Sequence, residues 1–160
     1  MLVSLHHTIF CDEALLFIII ISNSSSNDNH NSQNMSTEPR KPGVATAEEL
    51  KAFVEAAGDK LLVVDVRNAA DPYDEKSVER TPVPSEGVRP QAVNLIWDNT
   101  TESMPLPPPT TDLNTPIITH CGAGGRGQKA KEYLLAKGYT NVINGGGPKE
   151  TDLWEIYGNK

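Results

Sequence analysis

Apolar residues fall along this chain in short blocks, each with its own period and each separated from the next by a polar stretch. Leu50, Phe53, Val54 and Ala57 recur at spacings of three and four, which predicts one face of a helix. Thr46 and Glu49 stand before that stripe as a capping box, and Gly58 closes it. Leu61 to Val66 is apolar on both faces, the pattern of a central parallel strand. Ala92 to Ile96 predicts another strand, with Trp97 packed at its end. Pro116 to Thr119 is β-branched, apolar and too short for a helix, and Asn141 to Ile143 predicts a strand after it. From Gln128 the period turns helical through Ala130, Tyr133 and Leu134, and Lys137-Gly138 ends the helix. Leu153, Trp154 and Tyr157 form the apolar face of a short closing helix within Pro148 to Lys160. Strands alternating with helices predict an α/β fold: an open parallel sheet of four or five strands with helices on both faces.

The polar stretches predict connections. Asn68 to Pro84 packs six acids and bases into Asp71 to Arg80, as a solvated helix and loop would. Asn99 to Asn114 is stiffened by Pro107-Pro108-Pro109 and reads as a rigid surface connection. Residues 1 to 34 differ from everything after them: they carry Asp12, Glu13 and Asp28 but no lysine or arginine. Their apolar run, Ala14 to Ile21, is far short of the ~18 to 20 residues that cross a bilayer. Ser22 to Asn34 is polar low-complexity sequence that cannot bury enough surface to fold. The expectation is a disordered or leader-like tail over 1–34, with Met35 starting the functional protein and the domain proper spanning 44–158. A cytoplasmic protein follows from the missing basic residues, with a cleaved secretory or organellar leader as the alternative.

Composition narrows the function. At 160 residues, 38% hydrophobic and 22% charged with a net charge of −7, the chain suits one globular domain and has no basic bias toward nucleic acid. Cys11 and Cys121 are its two cysteines, in no metal-ligand spacing with each other or with His6, His7, His30 and His120. No disulfide framework and no structural metal site is expected.

Chemistry concentrates at Thr115 to Gly127, TPIITHCGAGGRG. Cys121 ends a strand, glycines fill positions 122, 124, 125 and 127 with Ala123 between them, and a helix begins after. Such a turn can curl its amides into an anion-binding nest, and the helix N-terminus adds positive partial charge. Arg126 adds a full charge, and all three favour the nucleophilic thiolate. A buried cysteine acting only as a small hydrophobe would not need this surrounding. Gly122-x-Gly124-x-x-Gly127 formally matches a dinucleotide fingerprint, but no acid follows at the end of the next strand, which disfavours an NAD-binding oxidoreductase. Read as a phosphate loop, the same glycines have Gln128 at the lysine position.

The segment Cys121-Gly122-Ala123-Gly124-Gly125-Arg126 resembles the C-x-x-G-x-R active loop of rhodanese-type sulfurtransferases. Leu61 to Arg67 is similar to that family's LLVDVR strand, and Gly138 to Gly147 to its GFTNVYNLEGG segment. Gly87 to Ala92 keeps the glycine, proline and alanine of the family's G-H-I-P-G-A motif while losing its histidine and second glycine. The resemblance implies a single rhodanese-like domain moving a sulfane sulfur, from a small-molecule or protein donor such as thiosulfate to a thiol acceptor, through a persulfide on Cys121. It implies no metal or organic cofactor. Gly122 to Gly127 would bind substrate and persulfide, Arg126 would hold the loop and the anionic donor, and Asp65 and Arg67 would support the pocket. His120-Cys121 is also similar to the H-C-x5-R signature of cysteine phosphatases, but Gly127 stands where that arginine belongs. A phosphatase or arsenate reductase on the same fold, and a non-catalytic binding module, are the alternatives.

Overall fold

The computed structural model describes residues 40–83 and 92–158. Four parallel strands, β1 (Leu62–Asp65), β2 (Ala92–Asn94), β3 (Ile117–His120) and β4 (Val142–Asn144), form a sheet in the order β2-β1-β3-β4. Val44 extends it by a single parallel bridge to Asn144. The fold is therefore the α/β parallel sheet expected, with four strands in the sheet.

Register sorts the side chains onto two faces, because successive strand residues point to opposite sides. Val63 lies beside Ile118 and Ile118 beside Ile143, and this row faces α1 (Ala47–Ala57) and α4 (Thr151–Tyr157). Leu50, Val54, Leu153, Trp154 and Tyr157 are buried against it. The alternate row, with Ile117, Val64 and Val142, faces α3 (Gly125–Ala136), whose Ala130 and Leu134 are buried there. Each fully buried Leu or Ile contributes roughly 2 kcal/mol, so the two apolar faces, rather than local propensity, hold the helices. The capping box of α1 forms in full, with the Thr46 hydroxyl accepting from the Glu49 amide at 3.1 Å and Glu49 accepting from the Thr46 amide at 2.9 Å. Trp97 is buried, its ring edge-on to Tyr133 at 5.9 Å.

Three expectations need correction. First, α3 begins at Gly125, three residues before Gln128. Glycine is a poor helix former, but the first turn lies close against the sheet: a Cβ on Gly127 would stand 2.7 Å from Asn144 Oδ1 and 3.2 Å from the His120 Cα. Packing dictates glycine there, and the helix accommodates it. Second, the connection after β2 is not wholly at the surface, since Met104 is buried in the α3-side core and Pro107 is buried as well. Third, the polar stretch after β1 forms the short helix α2 (Glu75–Arg80), yet Asp74 just before it is buried. The tail over 1–34, including Cys11, and the Gly87 to Gln91 part of the family-like motif lie outside the described residues.

Candidate active site

Cys121 follows the last residue of β3, at the carboxyl end of the sheet, and is 4% exposed. Its thiol accepts a hydrogen bond from the Gly124 amide, N to Sγ 3.2 Å. Gly124 is the N-cap of α3 in the left-handed conformation, φ +90°, and a Cβ there would stand 2.4 Å from Val44 Cγ2. A side chain could occupy this position only with strain and a clash, so the turn that aims an amide at sulfur requires glycine.

The strand beside β3 supplies the floor. Asn144, at the end of β4, donates from its amide to the Gly124 carbonyl at 2.9 Å and accepts the Gly146 amide at 3.1 Å. The Cys121 amide donates to the Gly146 carbonyl at 3.1 Å, and the Lys149 amide to the Gly122 carbonyl at 2.9 Å. Gly147 comes closest of all, since a Cβ on it would stand 1.7 Å from the Cys121 carbonyl oxygen. The Cys121 loop is thus built of two glycine-rich layers, residues 122–127 against 145–147. In the sequence the second layer stood out only through the resemblance.

Arg126, expected to hold the loop and the anionic donor, lines the cleft in front of Cys121 while gripping an acid from another segment. Its two terminal guanidinium nitrogens both donate to Asp74, one at 2.7 Å to Oδ2 and the other to Oδ1. Burial pushes the Asp74 carboxyl up, but the Arg126 hydrogen bonds, the Asn68 amide and the nearby guanidinium charges outweigh it and hold the group below its ordinary value. Burial likewise works against the Arg126 charge, and Asp74 overcomes it, so the guanidinium is bound more firmly to its proton than usual. The pair ties the first turn of α3 to the segment before α2.

Asp65 and Arg67 lie behind this layer. Both are fully buried, and the Arg67 guanidinium meets the Asp65 carboxylate side on, Nε to Oδ1 at 3.0 Å and Nη2 to Oδ2 at 2.7 Å. The Arg67 Nη1 donates to the Ser77 carbonyl at 2.9 Å, and the Asn68 amide donates to Asp74 Oδ2 at 2.9 Å. One buried chain of polar groups therefore runs from β1 through α2 to Arg126. His120 sits in the same layer, its Nε2 3.8 Å from Asp65 Oδ2 and its ring edge-on to Trp154 at 4.9 Å.

In front of Cys121 lies a cleft of about 490 Å³. Gly122, Ala123, Gly125 and Arg126 line it on the loop side, and Lys41, Tyr73, Asp74 and Lys149 on the other. Gly127, by contrast, is buried against Asn144 and does not line the cleft. Tyr73 is 75% exposed, with the Arg126 guanidinium 5.4 Å and Lys149 Nζ 6.0 Å from its ring centre. Lys41, Tyr73, Asp74, Asn144 and Lys149 were not singled out from sequence. They come from segments far apart in the sequence, and only chain folding brings them to the loop.

Among solved structures, the chain is similar to an uncharacterized protein from Saccharomyces cerevisiae (22% identity, 72% of this chain and 92% of that one, TM-score 0.43). It is similar also to the single domain sulfurtransferase RDL2 of the same yeast (22% identity, 77% and 95%, TM-score 0.41). A third is a rhodanese with anions from Escherichia coli (26% identity, 56% and 89%, TM-score 0.35). Nothing among curated proteins matches the chain. Residues 46–147, from the capping threonine of α1 to the glycine under Cys121, match the rhodanese-like domain, and the chain belongs to that family.

Proposed function

We propose that this protein is a sulfurtransferase in which Cys121 carries a sulfane sulfur as a persulfide. The observation that carries the reading is the Cys121 thiol on a four-residue glycine-rich turn, receiving the Gly124 amide and facing a cleft rimmed by Lys41 and Lys149. The Cys121 thiolate attacks the outer sulfur of thiosulfate or an equivalent donor. The donor's S–S bond breaks, its electron pair leaves with sulfite, and a Cys121 persulfide remains. A thiol, or cyanide in an assay, then attacks the outer sulfur and restores the Cys121 thiolate. This is covalent catalysis in two half-reactions. The Gly124 amide and its neighbours in the Gly122 to Gly125 turn stabilise the charged sulfur, and the rim lysines attract the anionic donor.

The Arg126 geometry favours sulfur over phosphate. A phosphate-binding loop turns its arginine onto the anion, whereas here both terminal nitrogens are held by Asp74. Intact-mass spectrometry after exposure to thiosulfate tests the proposal. One added sulfur atom, mapped to Cys121 and removed by cyanide, is the expected result. A protein that gains none, or gains it unchanged after Cys121→Ser, overturns it.

A further inference from the structure

A second cleft, of about 250 Å³, opens beside the first. Tyr73, Ser77 and Lys149 line both, so the two spaces meet along that ridge. Among the described residues, the charged ones lining the second cleft are Lys76, Arg80 and Lys149, with no carboxylate. That is unexpected in a chain of net charge −7. On α2, Lys76 and Arg80 stand four apart, as do Glu75 and Glu79, a spacing at which like charges repel on a helix. The arrangement gathers both cations of the helix toward the cleft, while neither glutamate lines it.

We infer that this cleft binds the carboxylates of a small organic persulfide whose outer sulfur is delivered to Cys121 across the Tyr73 ridge. The inference rests on the sulfurtransferase reading and adds the class of donor to it. A compact inorganic donor has no second group to place beside Lys76 and Arg80, neither of which lines the Cys121 cleft. A donor R–S–SH carrying carboxylates on R fills both spaces, which are on the scale of small-molecule pockets. The Cys121 thiolate attacks the outer sulfur, the donor's S–S bond breaks, and R–S⁻ leaves with the electron pair. The transferred sulfur keeps its proton as Cys121–S–SH, and no oxidant enters.

The test uses the full chain, with glutathione persulfide and thiosulfate as donors and S-methylglutathione as a dicarboxylate analogue without a transferable sulfur. The Lys76→Gln/Arg80→Gln double variant should bind the analogue about tenfold more weakly, because two of the three cations lining the cleft are lost and each exposed charge contact contributes up to about fivefold. Its kcat/KM for the persulfide should fall alike, while that for thiosulfate stays within about twofold, since screened charges outside the reacting cleft contribute little. The Lys76→Arg/Arg80→Lys variant should retain binding, and its normal behaviour excludes a folding defect. Unchanged analogue binding in the double variant, or an equal fall for both donors, overturns the inference while leaving the sulfurtransferase reading intact. Failure of every donor to place sulfur on Cys121 overturns that reading and the donor role together, and analogue binding to Cys121→Ser still reports whether the cleft takes carboxylates.

Discussion

Arg126, on the first turn of α3, and Asp74, fifty-two positions earlier at the start of α2, form a two-pronged ion pair that is largely buried on the Asp74 side. The pair ties the Cys121 loop to the segment before α2, and both partners line the cleft in front of Cys121. Removing one partner of such a pair is worse than removing both, because it strands a charge in a poorly solvated place.

Asp74→Asn should therefore lower stability at neutral pH by about 1 to 2 kcal/mol, less than for a fully buried pair because both residues border the cleft. The pH dependence has a definite sign. The Asp74 carboxyl lies below its ordinary value of 3.8 in the folded protein, so its contribution is complete above that value and is lost as pH falls through the lowered one. Denaturant melts of wild type and Asp74→Asn should differ at neutral pH and converge only below 3.8. A constant gap down to the acid limit would mean that the pair is not the source of the difference. The double variant Asp74→Asn/Arg126→Gln should be more stable than the sum of its parts, by roughly 1 kcal/mol or more.

Asn144 offers a test of the glycine floor. It is fully buried and bridges Gly124 and Gly146, the one supplying the amide to Cys121 and the other accepting from the Cys121 backbone. Asn144→Ala leaves a buried carbonyl and a buried amide without that bridge, a loss of about 2 kcal/mol. Persulfide formation on Cys121 should slow more than the loss of stability explains. Proteins compared at equal folded fraction in a single-turnover assay would reveal a purely structural role as an unchanged rate.

Much of this arrangement was legible before folding, and the reason differs from place to place. The capping box, the apolar stripe of α1 and the doubly apolar β1 could be read because each is encoded within a few residues. The Cys121 turn could be read because four glycines and an arginine are crowded into six positions. Asp74 could not, because it sits in a run of charges that looks solvated, and its partner Arg126 lies fifty-two positions away on another element. The same applies to the start of α3: glycine propensity argues for a later start, and the approach of Gly127 to Asn144 and His120 decides against it. Asp65 and Arg67 were recognisable as a pair of interest. Their bidentate contact with each other, two residues apart, became visible only with the strand's end and Ser77 in place.

Lys41 and Lys149 should carry the attraction for an anionic donor. Both line the Cys121 cleft, and among the described residues neither takes part in an ion pair with an acid. Lys41→Gln and Lys149→Gln should each raise KM for thiosulfate about threefold with kcat little changed, as expected when steering charge is removed without altering the reacting groups. The wild-type KM should rise with ionic strength, because exposed charges are screened within about 10 Å at 0.1 M salt. The double variant should have lost most of that salt dependence. If its salt dependence equals that of wild type, the rim lysines are not the recognition charges.

The last expectation concerns what the cleft refuses. A thiolate at the base of a loop can attack sulfur or phosphorus, and the two reactions need different surroundings. Phosphoryl transfer develops charge over several equatorial oxygens and requires cationic groups turned onto them. Sulfane transfer places one charged sulfur in the loop, for which a few amides suffice. Here the Gly124 amide faces Sγ while both terminal nitrogens of Arg126 are held by Asp74. The enzyme should therefore form thiocyanate from thiosulfate and cyanide while leaving aryl phosphates intact. Turning Arg126 loose should not by itself create a phosphatase, since Gly127 rather than arginine occupies the position one residue further on. The measurement is a paired assay of both substrates on wild type, Cys121→Ser and Asp74→Asn. Aryl phosphate hydrolysis that requires Cys121 would show that the loop accepts a phosphoryl group, and the sulfur-sized reading of the four-residue turn would fall.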